Sequence, residues 1–165
     1  MAITALRGLL DFLAKMGLTM RDDPPKVVDV ANREWGAPKA GFALSVQQEA
    51  AQDPSALPAL SVALRNVSGE PKKTVVPGWL FFYSIEITGP DGTPVPMSPF
   101  GRQLLKPERK TERVDVVLSP GEATEARIPI GSIFSMSAKG TYRVRANCVL
   151  PSGDALESNA ITVVA

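Results

Sequence analysis

Gly140-Thr141-Tyr142-Arg143-Val144-Arg145-Ala146-Asn147-Cys148-Val149-Leu150 is the stretch on which the fold turns. Successive side chains of a strand point to opposite faces, so Tyr142, Val144, Ala146, Cys148 and Leu150 share one face and Arg143, Arg145 and Asn147 take the other. Toward the C-terminus, Ile161 and Val163 end the chain with the same period. Toward the N-terminus, Ala126, Ile128 and Ile130 read as a fifth strand, and residues 111–118 as a fourth closed by Ser119-Pro120-Gly121. The third alternates Trp79, Phe81, Tyr83, Ile85 and Ile87 with Ser84, Glu86 and Thr88, then reverses at Gly89-Pro90-Asp91-Gly92. Leu60, Val62 and Leu64 run to Asn66-Val67-Ser68-Gly69, and Phe42, Leu44 and Val46 alternate with Ala43, Ser45 and Gln47. About seven short strands with turn signals between them predict an all-β, antiparallel β-sandwich.

The 165-residue length fits one such domain with an appendage. Eighteen basic and 17 acidic residues leave a formal charge of +1, which argues against a nucleic-acid partner, since such binders carry a basic stripe. Histidine is absent, and with it the usual general base near neutral pH and the commonest metal ligand. The single cysteine, Cys148, admits no intrachain disulfide and suits a reducing compartment. As given, the sequence reads as cytoplasmic; an export signal ahead of a misassigned start would make it exported or periplasmic.

Residues 1–20 predict an amphipathic helix and residues 21–39 a linker, with the sandwich domain over 40–165. In the helix Ile3, Leu6, Leu10 and Leu13 form one apolar stripe and Ala5, Leu9, Phe12 and Met16 the next. Its polar face is narrow, with Arg7, Asp11 and Lys15 four residues apart, and Gly17 stands at a C-cap position. A helix apolar around most of its circumference must pack on something: its own sandwich, another copy, a different protein or a membrane surface. A membrane ranks below the others because only Arg7 and Lys15 supply positive charge. Asp22-Asp23-Pro24-Pro25 stops the helix, and residues 26–34 fit a short strand or a helical turn equally well.

Leu64-Arg65-Asn66-Val67-Ser68, Ile85-Glu86-Ile87 before Gly89-Pro90-Asp91-Gly92, Ser119-Pro120-Gly121-Glu122, residues 140–146 and the closing Glu157-Ser158-Asn159-Ala160-Ile161-Thr162-Val163 together resemble bacterial immunoglobulin-like domains. These include the modules attached to exported bacterial proteins, and the layout is also similar to the bacterial intracellular proteinase inhibitor domain. The resemblance spans about residues 35–165 and implies an immunoglobulin-like sandwich while leaving activity open. Tyr142, opening the penultimate strand, matches the position of a tyrosine corner, and Cys148 reads as a small buried hydrophobe.

The sequence offers no catalytic, cofactor-binding or metal-ligating candidates. Gly89-Pro90-Asp91-Gly92 lacks the spacing and lysine of a phosphate loop. Carboxylates are scattered: Asp22 and Asp23 precede prolines, Glu122 and Glu125 flank a strand start, and turn chemistry accounts for Asp91 better than a calcium site shared with Asp154. Residues 102–113 mix Arg102, Lys106, Arg109, Lys110 and Arg113 with Glu108 and Glu112, the pattern of a solvated edge that discourages aggregation. Leu80 and Phe82 point away from the core face of the third strand and, with Leu104 and Leu105, form either an apolar patch or the floor of the following loop.

The resulting expectation is a non-enzymatic protein-binding or assembly module without cofactors. Its candidate partner-binding residues are Leu6, Leu9, Leu10, Phe12 and Leu13 on the helix, with Leu80 and Phe82 on the sandwich. The alternative is a proteinase inhibitor presenting an exposed loop such as residues 94–107.

Overall fold

Two-residue periodicity becomes strand in the computed structural model, which describes residues 30–50, 57–77, 83–104, 113–136 and 139–164. The elements are β1 (Phe42–Gln48), β2 (Leu60–Asn66), β3 (Lys72–Pro77), β4 (Tyr83–Thr88), α1 (Pro99–Leu104), β5 (Arg113–Leu118), β6 (Ala123–Ile128), α2 (Ile130–Ile133), β7 (Thr141–Val149) and β8 (Ala155–Val164). The strands form a curled six-stranded sheet in the order β4-β7-β8-β1-β2-β6 and a separate β3-β5 pair. The expected helix of residues 1–20, with Leu6, Leu9, Leu10, Phe12 and Leu13, lies outside the described residues, and so do Leu80 and Phe82.

The stretch around Tyr142 behaves as its alternation requires. Tyr142, Val144, Ala146, Cys148 and Leu150 are buried, whereas Thr141, Arg143 and Val149 are exposed. They face Leu44, Val46, Leu60, Val62 and Leu64 from the other half of the sheet, with Ile128, Ile130, Ile133 and Leu156 completing one apolar core. Fully burying each large aliphatic side chain contributes about 1.5–3 kcal/mol, so this shared interior holds the two halves of the sheet together.

Two local expectations are corrected and one strand is added. A wholly antiparallel arrangement fails where β8 returns beside β1, which it meets in parallel at Leu44 and Ser158. Ile130 does not extend the fifth strand: Pro129, lacking an N–H, precedes a single helical turn from which Ile130 still reaches the core. Lys72–Pro77 forms a strand of its own, paired with β5 from Lys72 opposite Leu118 to Pro77 opposite Arg113. Its alternation is weak because the residues are mostly Lys, Thr and Val with few strong apolar markers.

β1 is also buried on the face that alternation assigns to solvent: Ala43 is 2% exposed and Ser45 0%. It is a central strand, and its edge toward β8 is satisfied in three successive ways. Phe42 exchanges two backbone bonds with Lys39, at 2.8 and 2.9 Å. Leu44 accepts from the Gly36 N–H at 2.9 Å. Val46 is bonded by the side chain of Asn159, whose Oδ1 accepts from its N–H at 2.8 Å while Nδ2 donates to its carbonyl at 3.0 Å. Asn159 is free to do this because β8 slips register against β7 between Arg145 and Asn147, where the Ala146 N–H bonds to Ser158 Oγ.

The small sheet is tied on by Asn66, buried at the end of β2. Its Nδ2 donates to the carbonyls of Leu118 at 2.8 Å and Glu70 at 2.7 Å, and its Oδ1 accepts from the Ser68 N–H and hydroxyl. The Asn66-Val67-Ser68 signature is thus a turn whose amide reaches across to β5.

Candidate functional site

Residues 30–39, the described part of the stretch that leads into β1, lie against the sheet as an extended arm. This arm turns into β1 through Lys39-Ala40-Gly41-Phe42, a two-residue reversal with φ of 52° at Ala40 and 83° at Gly41. Positive φ at both central positions is the twist-matched hairpin geometry that favours glycine or asparagine, so Ala40 sits there under strain.

From the reversal the arm runs antiparallel along β1. Gly36 reaches Leu44, and the Asn32 carbonyl accepts from Gln47 Nε2 at 3.0 Å. The approach leaves no room at Gly36, where an added Cβ would fall 1.9 Å from the Glu157 carbonyl oxygen. Two side chains cross the outer face of the sheet. Trp35 lies beneath the Arg65 guanidinium, which is 5.8 Å from its ring centroid and bonds the Gly121 carbonyl at 3.1 Å. Arg33 reaches Ser61 and Glu125, whose carboxylate oxygen Oε1 accepts from both the guanidinium and the Ser61 hydroxyl.

The floor between these contacts is small. Ser45 pairs with Ala63, and Ala63 with Glu125; Ser45 and Ala63 are both fully buried. Short side chains let the Arg33 stem lie flat, and its own side chain is only 7% exposed. A buried guanidinium needs a charge partner, which Glu125 supplies, and Ser61 accepts further hydrogen bonds through its hydroxyl and carbonyl. Arg33 and Glu125 are 92 residues apart in sequence. The only hint is the Arg33-Glu34-Trp35 triplet in an otherwise Pro- and Asp-rich connector.

A second exposed feature is the segment from Asp91 to Pro94. It is braced by the Val95 N–H to the Ile87 carbonyl at 2.8 Å, and beyond it Ser135 bonds Pro96 and Ser98 bonds Ile133. The Thr93 N–H and hydroxyl bond Asp91 Oδ1 and hold its carboxyl below the usual range. Asp154 is engaged separately by Ser152 and Lys39. Among the described residues no three Asp, Glu, Cys or His side chains gather as a metal site. Arg102 bonds the Met97 carbonyl at 2.7 Å, residues 105–112 lie outside the described residues, and Glu122 bonds the Ser119 N–H at 2.7 Å across its own turn.

Cys148 faces the interior, 3% exposed, and burial pushes its thiol up to about 12. Tyr83, opposite it on β4, is buried too; desolvation raises its phenol well above the ordinary value, the neighbouring Cys148 adds to this, and Arg33 opposes it. Both groups are neutral core members rather than reactive ones.

No family of known proteins and no curated protein matches this sequence. Among solved structures, a beta-D-glucoside glucohydrolase from Trichoderma reesei is similar over 83% of this chain at 13% identity, with a TM-score of 0.36; the chain spans 19% of that protein's length. The GAE domain of GGA2p from Saccharomyces cerevisiae is similar over 81% of this chain and 96% of its own, at 10% identity and a TM-score of 0.26.

Proposed function

We propose that the protein is a non-catalytic binding or assembly module, an immunoglobulin-like sandwich whose N-terminal segment docks onto a protein partner or a second copy. The observation that carries this reading is the fastening of residues 32–36 to the sheet by Arg33, Trp35 and Gly36. A held arm makes residues 1–29 leave the domain from a fixed place, and an apolar segment presented from a fixed place loses less freedom on docking. The immunoglobulin-like reading is supported by strand partnership: β2 pairs with β6, and β7 lies between β4 and β8. A buried Tyr142 at the start of the penultimate strand is in keeping with it.

The test is size-exclusion chromatography with light scattering on the full chain and on L9D/L10D/F12D. Loss of assembly in the variant supports the reading. An assembly state and partner binding unchanged by the three substitutions would refute it.

A proteinase inhibitor is the second reading; Pro99–Leu104 of the expected 94–107 loop is helical with Leu104 buried, and the exposed Asp91–Pro94 segment beside it, with its backbone braces, is what favours the reading. A rigid, solvent-facing loop is what a protease cleft accepts. Failure to inhibit a panel of serine proteases at micromolar concentration would retire it.

A further inference from the structure

We propose that the arm is exchanged between two copies of this chain, residues 30–39 of each crossing the outer face of β1, β2 and β6 of the other in a symmetric dimer. The self-association half of the proposed function gains a geometry from this exchange, which rests on that reading only in naming a second copy as partner.

The occupant follows from the shape of the seat. Beside Glu157 any residue other than glycine meets a carbonyl oxygen at 1.9 Å, so a general extended peptide does not fit. Three positions before it a guanidinium is required to satisfy Glu125 and Ser61, and one position before it an aromatic ring lies under Arg65. An Arg-x-Trp-Gly segment meets all three conditions, and this chain carries one at residues 33–36. A second copy therefore reproduces the contacts of residues 32–36 without new complementarity, which is the condition for low-cost swapping.

The hinge favours opening. Ala40 is held left-handed at φ 52°, the one non-glycine residue with positive φ among the described residues. Straightening the hinge releases this strain. Pro38 already biases Ala37 toward an extended path in the open form. What opening gives up includes the two Lys39–Phe42 backbone bonds and the exposed Lys39–Asp154 ion pair. A short hinge that stores strain and is followed by a transferable segment is the arrangement that exchanges between copies.

The experiment uses the full chain carrying N32C and Q47C, residues that meet across the arm and its floor. Dimer isolated by size exclusion is treated with a short bifunctional maleimide; buried Cys148 does not compete. In an exchanged dimer the crosslink joins two chains and doubles the mass on a denaturing gel. Ala40→Gly, which removes the strain, lowers the dimerisation constant about tenfold or more, because two hinges are relieved per dimer. Ala40→Pro cannot adopt positive φ and drives the chain to the dimer. A dimer whose crosslinks are all within one chain, or a monomeric Ala40→Pro variant, overturns the proposal. Interchain crosslinks that persist in L9D/L10D/F12D show exchange without N-terminal docking, so the two readings fail separately.

Discussion

The side-chain amide of Asn159 closes on the main chain of Val46 with two hydrogen bonds, 2.8 and 3.0 Å long, doing for β1 what a strand backbone would otherwise do. The arrangement lets β8 change course at Ser158 without orphaning the central strand. Asn159→Ala leaves the Val46 N–H and carbonyl unpaired, and the loss is about 2–3 kcal/mol. Urea unfolding of the purified variant measures it; a shift below about 0.5 kcal/mol would show that water replaces the amide at no cost.

Asn66 performs a comparable task between sheets, through Leu118. Replacing it by Ala removes both Nδ2 donations and the acceptor for Ser68, a loss of about 3 kcal/mol. The distinctive readout is local. Amide exchange in Lys72–Pro77 and Arg113–Leu118 accelerates before that in β7 and β8, because the small sheet is released first.

Gly36→Ala tests the seat of the arm. The new methyl collides with the Glu157 carbonyl, so the arm lifts while the core stays closed. Trypsin cleavage after Arg33 becomes faster by about tenfold, since cleavage follows the population of the open form. Equal cleavage rates in the two proteins would mean that the sheet moves aside instead.

Stability falls on the alkaline side. Cys148, with an ordinary value of 9.0, keeps its proton in the folded chain up to about 12. Its folded value is raised, so its contribution is complete below about pH 9 and is lost as the pH climbs toward 12, at about 1.4 kcal/mol per pH unit for one proton. Tyr83 acts in the same direction, from an ordinary value of 10.0. Cys148→Ala therefore flattens the fall in stability between pH 9 and 12. Melting temperatures followed across that range report it; parallel pH profiles for the two proteins would exclude the thiol as a cause.

Thr74 faces inward on β3 with its hydroxyl buried and without a hydrogen-bond partner among the described residues. Thr74→Val keeps the shape and removes the stranded dipole, stabilising the chain by up to about 1 kcal/mol. A destabilised variant on denaturant titration would reveal a partner at that hydroxyl.

Much of the sheet is legible in the sequence because alternation records which side chain meets the interior. Tyr142 through Leu150 and Leu60 through Asn66 are cases where one face is apolar and the strand follows. The same rule misreads Ala43 and Ser45, because small residues look alike whether they face water or a covering arm. The parallel contact of β1 with β8 left no local trace: it depends on Asn159 reaching Val46 across 113 residues of chain. The arm's clamp was hidden for the same reason, since nothing near Arg33 in sequence announces Glu125. The candidate residues of the N-terminal segment and of the third strand's outer face lie outside the described residues.

The parallel meeting of Leu44 with Ser158 has a geographic consequence. Because β1 and β8 run in the same direction and the arm doubles back along β1, Asn32 and Val164 both come to rest at the pole beyond Gln47. The opposite pole gathers four reversals instead: residues 39–42, 67–71, 119–122 and 150–154, with Lys39 and Asp154 3.8 Å apart between two of them. Whatever hangs from either terminus is thus carried at one end of the curled sheet, and the crown of turns lies at the other end.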